Sequence, residues 1–203
     1  MKLYYAPGAC SLATHIALYE AGLSFETDRL NISTKTTSSN ENYLQINPKG
    51  YVPALRLDDG SILTESAVVL QFVADQNPDS GLAPKAGTME RYRLQEWLNY
   101  IATEIHKSFG SLFNKAASDE ARNLARNLLE KRLGYVETAL ANKPCLMGDG
   151  YTVADAYLFV VLSWSSHVGF DLDRFPSIKE YLVRIAARPA VQAAMKAEGL
   201  IRG

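Results

Sequence analysis

Cys10 lies in the stretch Tyr4-Tyr5-Ala6-Pro7-Gly8-Ala9-Cys10-Ser11, between a Pro-Gly turn and the start of a helical pattern. Cysteine reacts as the thiolate, and an unperturbed thiol of pKa ~8.5 is only a few per cent ionised at neutral pH. A helix N-terminus favours an anion by ~0.3–1 kcal/mol, up to ~2 when partly buried. At ~1.4 kcal/mol per pK unit this moves a thiol by less than about two units, so a strongly acidic Cys10 needs further donors or a cation. Three residues on stands Ala13, not a second cysteine. A local dithiol cycle is therefore closed to Cys10, while a mixed disulfide with a small external thiol is open to it. The bland alternative is a small apolar filler.

Other candidate binding groups follow. Val52-Pro53 is either a rigid cis turn presenting the backbone of Val52 or an ordinary X-Pro turn. Glu65-Ser66 opens a helix, where backbone N–H groups and a hydroxyl can hold a carboxylate, or where Ser66 is simply the cap. Asn99, Thr103 and His106 form a polar stripe at helical spacing, facing either a ligand or solvent. His15 and His167 have no such company and read as structural.

The elements that position these residues divide into two sets. "KLYYA" reads as a strand, "SLATHIALYEAG" as a helix with Ser11 as its cap, and "LSFETDRLNI" as a second strand. A polar loop follows, then a short helical turn ending at Asn47. "ALRL" and "SIL" flank Asp58-Asp59-Gly60 as a hairpin, and "TESAVVLQFVADQ" is a helix. This order predicts an α/β domain over 1–77 with a mixed four-stranded sheet. The Pro/Gly-rich 78–87 reads as a linker, and 88–203 as an all-α domain. There, Leu94, Leu98, Ile101, Ile105 and Phe109 recur at helical spacing in one long helix. Thr152 and Asp155 read as a capping box before a nearly uniformly apolar helix.

Composition narrows the classes. The 203 residues are 47% hydrophobic and 21% charged with net charge −1, which gives no electrostatic case for nucleic acid or an anionic membrane. Residues 1–80 carry net −4 and 81–203 net +3, in keeping with two differently built halves. Two distant cysteines, Cys10 and Cys145, make neither a disulfide framework nor a metal site. Pro7 breaks the first apolar run, so the start does not read as a signal peptide, and no stretch approaches a membrane span. The expectation is a cytoplasmic, reduced protein.

Four segments occur together in order: Tyr4-Tyr5-x-Pro7-x-x-Cys10-Ser11, Asn47-Pro48-Lys49-Gly50-Tyr51-Val52-Pro53, Leu63-Thr64-Glu65-Ser66, and the Gly-Asp-Gly-Tyr-Thr-Val-Ala-Asp-Ala run of 148–156. Taken together the chain resembles the cytosolic glutathione S-transferases, and the Cys10/His106 pairing resembles their bacterial beta class. The resemblance implies a thioredoxin-like N-terminal domain, a helical C-terminal domain and a homodimer. It implies glutathione as co-substrate, no further cofactor, and a small hydrophobic electrophile as second substrate.

Carried over by residue, the resemblance gives Cys10 and His106 the catalytic roles. Val52 offers its backbone to the cysteinyl part of glutathione beside Tyr51, with Pro53 as the cis-proline. Glu65 and Ser66 hold the γ-glutamyl group, and Lys35 meets the glycyl carboxylate. Lys107 lines the site near the sulfur, Thr103 lies beside it, and Asn99 comes from the neighbouring subunit. Tyr5 and Ser11 are the candidate hydroxyls for the sulfur, and Phe109, Phe113 and Trp164 surround the electrophile. The alternatives within this reading are a glutathione-dependent thiol transferase or peroxidase working through a Cys10 mixed disulfide, and a non-catalytic ligand-binding protein.

Overall fold

The computed structural model describes residues 1–202. By internal contacts they form two units, Met1–Ala83 with Arg188 onward, and Pro84–Ala187. The sequence pattern placed 88–203 in one helical domain. In the structure, the segment beginning at Arg188 groups with the first unit, because its helix packs on the first helix of the chain.

The first unit runs β1 (Lys2–Tyr5), α1 (Ser11–Glu20), β2 (Glu26–Asn31), β3 (Thr36–Thr37), α2 (Tyr43–Ile46), β4 (Ala54–Arg56), β5 (Ile62–Thr64) and α3 (Ser66–Gln76). The sheet order is β3-β2-β1-β4-β5. β1 pairs parallel with β2 and antiparallel with β4, with Leu3 opposite Thr27 on one side and Leu55 on the other. The right pairing modes follow from the connections: a helix joins β1 to β2, and the Asp58-Asp59-Gly60 turn joins β4 to β5. Gly60 makes that turn at φ +86.

The sheet has five strands, not the expected four. The extra one comes from the polar loop. Asp28 on β2 is almost fully buried and accepts hydrogen bonds from the hydroxyls of Ser38 and Ser39 and the amide of Ser39. Those bonds draw the loop back onto β2, where Thr36 and Thr37 pair antiparallel with Asn31 and Leu30. A two-residue strand held by side-chain bonds leaves no alternating pattern to read.

Leu12, Ile16 and Leu18 of α1 are buried with Leu3 and Leu55 of the sheet and Val69, Leu70 and Val73 of α3. Every residue of α1 from Ser11 to Leu18 is buried. Packing by the sheet, by α3 and by the last helix, α9 (Pro189–Ala197), accounts for that burial.

The second unit contains α4 (Met89–Tyr100), α5 (Gly110–Phe113), α6 (Asp119–Leu140), α7 (Val153–Ser163) and α8 (Pro176–Ala186). The long helix expected from Leu94 to Phe109 is not one regular α-helix. From Ile101 to His106 it widens to a π-helix. Thr103 and Ser108 hydroxyls bond back to the carbonyls of Asn99 and Glu104, competing with the backbone ladder there. α7 is buried from Val153 to Leu162, as its uniform apolarity predicts. Its start is the Thr152/Asp155 capping box. Among the described residues, no helix is long and apolar enough to cross a membrane.

Candidate functional site

The loop between β1 and α1 carries Cys10. The helix cap is Cys10 itself, not Ser11, which is the first helical residue. The buried Ser11 hydroxyl bonds to both backbone groups of Ala6, accepting from its N–H at 3.2 Å and donating to its carbonyl at 3.3 Å. Ser11 thus closes the loop on itself, serving the backbone groups left at the strand end. A second tie comes from the far end of the chain. Gly8 N–H donates to Glu198 Oε2 at 2.9 Å, and the other carboxylate oxygen lies 2.9 Å from His15 Nδ1. Glu198 carries no motif and lies 183 residues from His15, so the sequence gives no sign of this pairing. Tyr5 is buried with its ring 5.6 Å from that of His15, and burial, with the Glu198 charge, raises its pKa.

The Cys10 thiol donates to the Val52 carbonyl at 3.1 Å. Burial pushes the thiol pKa up, against hydrogen bonds from the Ser66 hydroxyl and from backbone amides including that of Ser11; the Glu65 charge adds to the rise. The net result is a protonated thiol at neutral pH.

Val52 stands before Pro53 in a cis peptide. The preceding carbonyl, that of Tyr51, accepts from Tyr43 Oη at 2.7 Å and Asn47 Nδ2 at 2.8 Å. Lys35 Nζ donates to the Gly50 carbonyl at 2.8 Å. Gly50 has φ +70, and a Cβ there would sit 3.2 Å from Leu44 Cδ2, so the turn requires glycine. Tyr43, Asn47 and Gly50 therefore set the backbone that meets Cys10. The Asn-Pro-x-Gly motif marked two of them; Tyr43 had only its place in the short helical turn.

At the start of α3 the cap is Glu65, in the left-handed half of the map at φ 72, and Ser66 is the first helical residue. A non-glycine residue held there costs on the order of 1–3 kcal/mol, and such residues concentrate at ligand sites. The Glu65 carboxylate meets Lys49 Nζ at 2.6 Å, and Lys49 also donates to Thr64 Oγ1 at 2.9 Å. Lys49 thus ties the Asn47–Pro53 segment to the start of α3. Cys10, Val52, Glu65 and Ser66 are thus brought together within the first unit.

In the helical unit, Asn99, Thr103 and Lys107 are exposed, and the Thr103 hydroxyl is turned onto the Asn99 carbonyl. His106 Nδ1 lies 2.8 Å from the Tyr157 hydroxyl. Burial, assisted by the nearby Lys107 charge, lowers its pKa to about 4, so the ring is neutral at pH 7. Trp164 gathers His106, Phe109 and Phe113 around it edge to face, with ring centroids 4.8, 5.6 and 5.6 Å away. Phe113 remains half-exposed, leaving one face of that cluster open.

Comparison with known proteins identifies the family of both halves of the chain. Residues 8–76 match the family model "Glutathione S-transferase, N-terminal domain", and 100–189 match "Glutathione S-transferase, C-terminal domain". The chain is 46% identical to glutathione S-transferase GstA of Escherichia coli O157:H7, over 98% of this chain and all of that one. It superposes on a sphingomonad glutathione S-transferase solved with glutathione with a TM-score of 0.96 at 46% identity, covering 99% and 100% of the two chains. The beta-class enzyme of Sphingomonas chungbukensis gives the same score, identity and coverage. A thioredoxin-like unit that presents a thiol to the carbonyl ahead of a cis-proline, in a chain matched at this level along nearly its whole length, places the chain in the glutathione S-transferase family, among enzymes of the bacterial beta class.

Proposed function

We propose that this glutathione S-transferase conjugates reduced glutathione to small hydrophobic electrophiles, with the glutathione sulfur as nucleophile and Cys10 as a hydrogen-bond donor to it. The observation that carries this reading is the contact of Cys10: a partly buried thiol, its pKa raised by desolvation, donating to Val52 O at 3.1 Å. A protonated thiol is a poor nucleophile but a usable donor. When the cysteinyl N–H of glutathione takes the Val52 carbonyl, the Cys10 S–H is released toward the incoming sulfur. The first turn of α1 and the Ser11 amide add positive potential there, stabilising glutathione as its thiolate. Glutathione gives up its thiol proton to solvent, and the thiolate attacks the electrophilic carbon, forming the C–S bond as the leaving group departs with its electron pair.

Glu65 and Ser66 hold the γ-glutamyl amine and carboxylate in this reading, with Lys35 taking the glycyl carboxylate. His106, to which the resemblance gives a catalytic role, is a neutral ring with Nδ1 2.8 Å from the Tyr157 hydroxyl. The aromatic face of Phe113 and Trp164 suits a planar electrophile. The protein works as a cytoplasmic homodimer, in which a partner covers Tyr51, Met89 and Tyr92, all more than half exposed in the single chain. Asn99 would then serve the partner's site. The test is glutathione conjugation to a chloronitrobenzene and other electrophiles by the purified protein; absence of turnover on all of them removes the reading.

The same adjacency of Cys10 to the carbonyl for the glutathione cysteine favours a second activity. Under oxidising conditions the two sulfurs can join as a mixed disulfide. Mass spectrometry after mild oxidation with glutathione disulfide detects or excludes that adduct on Cys10.

A further inference from the structure

His106 meets Tyr157 and Trp164 from the last position of the π-helical segment Ile101–His106. Such turns inside α-helices are rare and concentrate at functional sites. Each π bond spans one residue more than an α bond, and one residue is about 100° around an α-helix. Rewound as an α-helix, the segment would turn His106 through much of that angle. The ring would then leave the Tyr157 hydroxyl, now 2.8 Å from Nδ1. Whatever holds the wider winding therefore holds the ring.

One residue of α6 grips this segment along its length. Arg132 donates through Nη2 to the Glu104 carboxylate at 2.6 Å and through Nη1 to the Ser108 hydroxyl. Its own carbonyl accepts from Tyr100 Oη at 3.3 Å. The three partners step by four residues, and His106 lies between the last two. On an α-helix each step of four drifts by about 40°, which would turn Ser108 about 80° from Tyr100. The wider winding reduces that drift and lets a single residue meet all three. The Ser108 hydroxyl carries the grip to the backbone, donating to the Glu104 carbonyl at 2.6 Å. In an α-helix that carbonyl belongs to the Ser108 amide, so the hydroxyl competes directly with the α register. Ser108 is buried, and the planar guanidinium fork serves both of its partners at once.

We propose that Arg132 is a positioning residue for conjugation: by gripping Tyr100, Glu104 and Ser108 it keeps 101–106 wound as a π-helix and seats the His106 ring against Tyr157 and Trp164. The inference rests on the reading of His106 as part of the conjugation site.

The experiment uses the full-length protein and two variants. Arg132→Met keeps an apolar stem and removes the fork. Ser108→Ala removes one partner of the fork, and decides the question alone if Arg132→Met does not fold. Crystal structures and steady-state kinetics with a chloronitrobenzene are the readouts. The expected result is that 101–106 rewinds toward an α-helix and His106 Nδ1 leaves hydrogen-bond distance of Tyr157 Oη. With it, kcat falls by about tenfold, within the ~100-fold that a misplacement of about 1 Å can cost. The KM for glutathione stays within about twofold, because Val52, Glu65 and Ser66 lie in the other unit. A purely structural arginine would change the urea midpoint and leave both the ring and this split of kcat from KM as they were. The proposal is overturned if the π-segment and the His106–Tyr157 contact persist in the variants. It is equally overturned if the ring moves and kcat does not change. No turnover by the parent removes the conjugation reading and this inference with it; turnover by the parent with an unmoved ring in the variants removes the inference alone.

Discussion

The sulfur of Cys10 lies 3.1 Å from the carbonyl oxygen of Val52, forty-two residues along the chain, and donates its hydrogen there. One contact thus joins the only cysteine of the α/β unit to the backbone ahead of the cis-proline. It makes the thiol a donor with an interim partner, and this predicts how substitutions at Cys10 divide.

Cys10→Ser keeps a donor of similar size, and Cys10→Ala removes it. Conjugation by Cys10→Ser is expected within about threefold of the parent, and Cys10→Ala about tenfold lower in kcat. That loss lies below the 10²–10³ seen for a strong oxyanion-hole donor, since a thiol donates weakly. Both variants lose disulfide reduction. Equal, complete loss of conjugation in both contradicts a donor role and points to Cys10 as nucleophile.

Glu65 is held ready by Lys49 at 2.6 Å on a strained backbone. A hydrogen bond to a charged group contributes ~1.5–3 kcal/mol, and each ~1.4 kcal/mol is tenfold in affinity. Glu65→Gln therefore raises the KM for glutathione by roughly tenfold or more, with little change in kcat. Steady-state kinetics with glutathione varied provide the check, and an unchanged KM contradicts the assignment.

His106 titrates near 4 in the folded protein, first through burial and then through Lys107. Its unfolded value is ~6.5, so between these values the unfolded chain binds more protons. This contribution to stability is complete above pH ~6.5 and is lost as pH falls toward about 4. His106→Gln removes that part of the pH slope. Urea midpoints measured across pH 4–7 test it; parallel curves for variant and parent contradict it.

Asp155 is fully buried and accepts from Leu146 N, Thr152 N, Thr152 Oγ1 and Tyr181 Oη, at 2.9–3.1 Å. Asp155→Ala orphans these donors at the head of the central apolar helix. The expected loss is on the order of 3–5 kcal/mol, from several unsatisfied donors at ~1–3 each and a lost cap. Equilibrium urea unfolding measures it, and a loss under about 1 kcal/mol contradicts the role.

Legibility from the sequence followed the range of the interactions. Local signals carried well: the Asp59-Gly60 turn, the Thr152/Asp155 cap and the apolar α7 all lie where their residues place them. The Val52-Pro53 bond is cis, one of the two states its motif left open. Long-range side-chain bonds left no local pattern. Asp28 gathering Ser38 and Ser39 created a strand, and Glu198 reaching His15 and Gly8 moved the last helix into the first unit. Both depend on one carboxylate meeting partners that only the folded chain brings near. The π-turn from Ile101 to His106 was hidden because buried residues recur at nearly the same spacing on α- and π-helices over six residues. Lys49 sat inside a recognised motif, but its partner, Glu65, is defined by an unusual φ that composition does not encode.

The most direct test of the central claim is a crystal structure of the protein with reduced glutathione. The glutathione cysteinyl backbone is expected to pair with Val52, its γ-glutamyl group to lie at Glu65 and Ser66, and its sulfur to sit at non-bonded hydrogen-bond distance from Cys10 Sγ. Glutathione bound elsewhere, or bound with Cys10 still donating to Val52 O and remote from the glutathione sulfur, contradicts it.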